Sequence, residues 1–311
     1  MLDRYRSQGT KELHQSNPAE RYSNESRNNR NANVYESITY SGSKGPMSKR
    51  TIVAGAVALV MALVGGASLT GQSSYRAPRT ADGKPDLQGI WQVLNTAEYN
   101  VQTHLAKLGV PPGLGVVEGE KIPYQAAALA QRDKNREAGD DADPTQKCFF
   151  PGVPRIMYIP SPFRIIQAED FVQMFFEFGH HTRLIYTNGV PHHEDIPFWM
   201  GDPRGHWEGE TFVVVSKNFF DDNWLDRSGN WHSGALEIVE RFTRTGPDHI
   251  EYEVTLTDPN VYTEPWKMSM TLYRRVESNA RLLENECFAL RVYERGDFDK
   301  YRKPVPPEYQ P

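Results

Sequence analysis

The chain is poor in several things at once. It holds 2 cysteines in 311 residues, and its formal net charge is -5. No Lys/Arg cluster follows residue 50, so the basic face that phosphate contacts require is missing and a nucleic-acid partner is excluded. There is no nucleotide-binding glycine loop, no Gly-x-Ser-x-Gly elbow and no internal repeat, which leaves nucleophilic hydrolysis without a signal. No cofactor is expected. An even pair of cysteines in an exported chain is most simply a disulfide, Cys148 to Cys287; two buried free thiols are the alternative.

What is present begins with two segments that stand apart. Residues 1–46 are polar, rich in Asn, Ser, Arg and Glu, and show no apolar period; they read as a disordered or untranslated extension. Met47-Ser-Lys-Arg then precedes the apolar run 52–64 and the small residues 65–68. That order is a secretory signal peptide, residues 47–73, with translation starting at Met47. The rival reading is a signal anchor over 51–69, and the expected membrane contact is through that segment alone, if it is not cleaved. Both readings export residues 74–311, to the periplasm or beyond the cell, as a single domain.

In that domain the pattern is that of strands. Residues 86–93, 163–168, 171–178, 182–187, 207–217, 236–245, 249–258, 267–275 and 282–293 are rich in β-branched and aromatic residues and are mostly separated by short turns. The expected fold is mainly β: an antiparallel up-and-down meander closing into a barrel of eight or nine strands, since closure removes edges. After the first strand, 95–160 is irregular, with a short helix expected over 126–137. An insertion this long usually covers something.

Seven of the nine histidines lie between residues 180 and 249. Strict up-and-down alternation sorts them. His180 and His181 fall at one end, with the 218–234 loop carrying Asp226 and His232. His192, His193, Asp195 and His206 fall at the other. His192-His193-Glu194-Asp195 lacks the helical His-Glu-x-x-His spacing, so no metal site is expected. The candidate catalytic groups are His232, with Asp226 orienting it as a general base, and Glu240, either an inward acid or base or one half of a structural pair with an arginine. Trp199, Trp207 and Trp224 are core or loop anchors, or an aromatic lining for an apolar guest.

Two resemblances follow from the residues. Gly89-x-Trp91 at the head of a first strand resembles the lipocalin and wider calycin signature, which implies a tryptophan at the closed end of a barrel beneath a late arginine, here Arg274 or Arg275. Asp82-Gly-Lys-Pro-Asp-Leu-x-Gly-x-Trp, Pro151-Gly-Val-Pro-Arg, Gly205-His-Trp-Glu-Gly-Glu-Thr, Trp224-Leu-Asp, His232-Ser and Glu240-Arg241 together resemble a large family of uncharacterised exported bacterial β-rich proteins. The family pattern more often has Asp at the place of Glu210 and Asn at that of Asp221. It supplies no activity. The ligand-binding candidates are Arg155, His193, Trp207, Trp224 and Arg241. The expected function is an exported barrel that binds a small apolar or aromatic molecule. The alternatives are a non-hydrolytic acid-base enzyme (isomerase, cyclase or lyase) acting inside the barrel, and a structural envelope protein with a filled interior.

Overall fold

A computed structural model describes residues 75–221, 223–294 and 296; the expected leader segments, 1–46 and 47–73, lie outside them. Nine strands close into one barrel in sequence order: β1 (Gly89–Val93), β2 (Phe163–Gln167), β3 (Phe171–Phe176), β4 (Thr182–Tyr186), β5 (Asp202–Glu208), β6 (Thr211–Lys217), β7 (Glu237–Gly246), β8 (His249–Thr257) and β9 (Trp266–Arg274). Closure is direct, with Trp91 of β1 opposite Arg274 of β9. The fold is mainly β, as the strand pattern implies, and consistent with a lipocalin-like barrel. The described helices of eight or more residues are α1 (Ala126–Ala138) and α2 (Cys287–Glu294).

Alternation along the strands puts one set of side chains inside. On β7 and β8 these are Ile238, Glu240, Phe242 and Arg244, and Ile250, Tyr252, Val254 and Leu256, all buried. Trp91, Phe163, Met174, Phe176, Phe212, Met268 and Leu272 fill the interior from the other walls. Burying each large apolar side chain contributes about 1.5–3 kcal/mol, so a filled interior is the main source of stability. One end is shut by Trp91, whose indole N–H donates to Leu87 O at 2.9 Å. The Arg274 guanidinium lies 6.0 Å from its ring, the arrangement implied by the Gly-x-Trp resemblance. Arg244 adds a second cation at 5.8 Å, donating to Asp86 O and Pro247 O. We call this the lower end.

Three expectations need correction. Residues 207–217 are not one strand: the chain turns at Gly209 and Glu210, so Gly-His-Trp-Glu-Gly-Glu-Thr is a hairpin, β5 to β6. Alternation is also broken once. Eight neighbouring pairs are antiparallel, but β4 and β5 are parallel, through Tyr186 and Arg204. Parallel neighbours need a crossover, so residues 187–201 carry the chain from the lower end back to the upper one. His193 therefore sits at the upper end, its N–H on Asp202 Oδ2 at 2.7 Å and its carbonyl accepting from Asn218 Nδ2 at 2.7 Å. His192 goes with it, 3.4 Å from Asp202 Oδ2, and the sorting of histidines to opposite ends fails. Finally, the last expected strand, 282–293, is helix α2 over much of its length. Once β9 pairs with β1 no sheet edge is left to accept a tenth strand, and Ala289, Leu290 and Arg291 are good helix formers.

The long insertion does cover something. Ala97, Val101, Val117, Ile122, Ala128, Val153, Ile156, Met157 and Tyr158 join the core cluster and close the upper end. Cys148 and Cys287 form a disulfide, Cα to Cα 5.5 Å, which ties this covering segment to α2.

Candidate functional site

The 218–236 connection is folded down into the upper mouth, with Leu225, Asp226, Asn230 and His232 almost completely buried. Tyrosine hydroxyls fasten it. Tyr158 donates to Leu225 O at 2.6 Å, Tyr124 to Asn230 Oδ1 at 2.9 Å, and Tyr262 to Trp231 O at 2.8 Å. Asp226 organises the turn from within. Its Oδ1 accepts from the N–H of Ser228 and Asn230, and its Oδ2 from Val101 N–H at 2.9 Å and the Asn230 amide at 2.6 Å. Burial pushes its carboxyl up to about 6, with the Asn230 and Val101 donors and Arg155 pulling the other way. Four donors and no proton acceptor suit the ionised form.

This disposes of the expected dyad. Asp226 spends its lone pairs on the turn and does not orient His232. His232 Nδ1 lies 3.0 Å from Ser233 O and its ring meets Phe219 edge-on at 5.6 Å. Burial lowers its pKa, against the pull of Asp258 and Asp221, so the ring is neutral at pH 7. A buried neutral histidine packed on phenylalanine is a core residue here.

Glu240 takes the structural alternative. It faces inward in mid-barrel and is gripped at both oxygens by Arg183, a pair named in neither strand pattern nor motif. Tyr252 donates to Glu240 Oε1 at 3.0 Å, and Arg183 also reaches Ser216 Oγ at 3.0 Å. Burial together with the Glu240 charge drives the Tyr252 hydroxyl well above its usual range. With Arg183 on both its oxygens and Tyr252 on one, Glu240 is one half of a structural pair.

The ligand-binding candidates disperse. Arg155 is fully buried, and every guanidinium nitrogen is taken: Glu98 holds Nε and Nη2 at 3.1 and 2.8 Å, and Asp143 holds Nη1 and Nη2 at 2.8 and 2.7 Å. Its Nη1 also reaches Trp224 O at 3.4 Å. Nothing is left for a ligand. Arg241 faces outward and pairs with exposed Glu208 at 2.9 Å. Trp207 packs on Phe212 at 5.0 Å near the lower end, and His193 is exposed on the crossover beside Phe198. Trp224 alone reaches a cavity.

That cavity, of about 640 Å³, lies outside the barrel interior. Trp199, Trp224, Trp231 and Phe149 form its aromatic walls; Gln131, Asn135, Lys147 and Asp221 supply the polar groups. Its construction is local and specific. Trp224 and Trp231 are opposite each other across an antiparallel bridge. Trp231 is fixed by its indole N–H on Ala128 O at 3.1 Å, and Trp199 by rings of Phe149 and Phe220 at 5.4 and 4.9 Å. Gln131 and Asn135 share one side of α1 by their spacing of four, and bond each other at 2.9 Å. Asn135 in turn donates to Gly229 O at 3.2 Å, and a Cβ on Gly229 would stand 2.7 Å from Arg136 N, so α1 can lie this close only over glycine, whose φ of +83° also requires it. Asp221 Oδ1 accepts from Gly234 N–H, which closes the loop's base.

Trp199 and Trp224 were visible in the sequence as a possible lining, with Trp207, which lies elsewhere; Trp231 and the neighbours Phe149, Lys147, Gln131 and Asn135 were not, because only the fold brings 131–149 against 199–231. Among the described residues no group of three or more His, Cys, Asp or Glu could hold a metal ion. No protein-family model matches the chain, and no curated protein matches it.

Proposed function

We propose that this is an exported protein that binds a small apolar or aromatic molecule, and that the ligand sits in the aromatic cavity over the barrel's upper end rather than inside the barrel. The observation that carries the reading is three indoles and a phenyl ring converging on about 640 Å³ of open space, within the usual size of small-molecule sites and lined mainly by apolar side chains with a few fixed polar groups. The buried Arg155 cluster, which reaches the Trp224 carbonyl, and the Asp226 turn stiffen the loop from behind, which lowers the ordering cost of binding. Export is supported by the disulfide, which persists in oxidising compartments, and by the leader pattern of residues 47–73.

The enzyme alternative loses support because Asp226, His232 and Glu240 are committed to the fold and none of them lines the cavity. The filled barrel interior favours the structural-envelope alternative, and the two readings part in one experiment. Calorimetric titration with N-phenyl-1-naphthylamine should give saturable binding, and Trp224→Ala should weaken it by about 30-fold, about 2 kcal/mol, as truncation of a central aromatic anchor does. No saturable binding in wild-type protein would leave the structural reading standing.

A further inference from the structure

Beside the upper end, residues 103–114 form a hairpin whose construction nothing above explains. His104 and Gly113 exchange backbone hydrogen bonds at 3.0 Å in both directions, as do Lys107 and Val110 at 3.1 and 2.9 Å, leaving Leu108 and Gly109 as the tip. Its root is tightly fitted. A Cβ on Gly113 would stand 1.6 Å from Thr96 Oγ1, and one on Gly115 would stand 2.6 Å from Thr103 N, so the finger is held at a fixed place. Yet Leu105, Leu108 and Leu114 are 87%, 103% and 83% exposed. A rigid finger that presents three leucines to water is an interaction surface.

We propose that this hairpin docks the protein onto an anionic lipid surface. The chain has 40 Asp and Glu in 311 residues, yet residues 99–117 contain none, and Lys107 stands next to the tip. An acid-free apolar finger with a cation is complementary to a bilayer interface, where the leucines enter the acyl boundary and the lysine stays among phosphates. A protein partner is less well served. Leucine is under-represented among interface hot spots, where tryptophan, tyrosine and arginine dominate, and the finger has none of the three. The contact is superficial, because among the described residues no helix is long and apolar enough to cross a membrane.

The test uses the full chain with an environment-sensitive dye on Leu108→Cys, mixed with vesicles of phosphatidylcholine and one-third phosphatidylglycerol carrying brominated acyl chains. The dye should shift to the blue and be quenched, whereas the same dye on Glu169→Cys, in the lower-end turn between β2 and β3, should not. This local readout is blind to any insertion of residues 51–69. Adding Leu105→Ser and Leu114→Ser should weaken partition roughly a hundredfold, and omitting phosphatidylglycerol roughly fivefold. An unquenched dye at 108, or equal quenching at 169, would overturn the proposal. So would a blue shift that follows protein concentration without vesicles, since it would report the finger binding another copy of the chain.

Discussion

Replacing Arg155 by leucine separates a structural cation from a ligand-binding one. The guanidinium is fully buried between Glu98 and Asp143, whose side chains are 11% and 0% exposed. Taking it away leaves two carboxylates next to each other with no countercharge, and removal of one partner from a buried ionic cluster costs about 3–5 kcal/mol. About 4 kcal/mol lowers the Tm of a domain of this size by roughly 8–16 °C. Urea unfolding followed by tryptophan fluorescence measures the loss directly. Replacing all three residues by neutral ones (Glu98→Gln, Asp143→Asn, Arg155→Met) should recover most of it, because no buried charge then remains. The loss should also be felt at the cavity, since Arg155 Nη1 reaches the Trp224 carbonyl. An Arg155→Leu protein within about 1 kcal/mol of wild type would refute the account of this cluster and return Arg155 to the ligand-binding candidates.

Three further outcomes follow from the same geometry. Asp226 holds its proton more tightly in the fold, at about 6, than the ordinary 3.8, so the unfolded chain binds fewer protons between those values and this group's contribution falls as pH rises through the window, by about 3 kcal/mol in all; wild type should therefore gain stability over Asp226→Asn on going from pH 7 to pH 4, and a pH-independent difference would contradict the shift. Cys148→Ser with Cys287→Ser opens a cross-link spanning 139 residues, and chain entropy sets the loss at about 5 kcal/mol by denaturant unfolding under oxidising conditions. Arg241→Ala, which removes an exposed pair with Glu208, should cost under about 1 kcal/mol in the same assay, while Arg183→Leu, which strands the buried Glu240 carboxylate, should cost about 3–5 kcal/mol.

The barrel was legible in the sequence because alternation and turn residues are local signals. Tyr252, Val254 and Leu256 against Glu251, Glu253 and Thr255 fix the inward face of β8 without reference to anything else. The same alternation could not decide between Glu240 and Arg241 on β7, since both neighbours of each are mixed in character; the decision came from Arg183, 57 residues away, whose guanidinium needs an inward carboxylate. Directions failed at one place for a comparable reason. Residues 187–201 are polar enough for a surface loop whether the next strand returns beside β4 or crosses over, and one parallel pairing moved His192 and His193 to the other end. The Asp226 to His232 pairing was a reasonable reading of a short turn, but the turn's own N–H groups and the Asn230 amide reach the carboxylate, and they claimed it.

The cavity was legible only in part. Tryptophans at 199 and 224 and the Cys148 to Cys287 tie were readable; Trp231 and the face of α1 that completes the wall were not, because the polar residues Gln131 and Asn135 look like any solvated helix surface until Gly229 lets the helix come down on the loop.

The placement of the ligand over the barrel, rather than in it, is tested most directly by fluorine NMR on protein in which all 6 tryptophans are 5-fluorotryptophan, titrated with N-phenyl-1-naphthylamine. The resonances of Trp199, Trp224 and Trp231 should move with the aromatic ring current, and those of Trp91, Trp207 and Trp266 should stay. Movement of Trp91 and Trp207 with Trp199 and Trp224 unmoved would place the ligand inside the barrel and contradict the account.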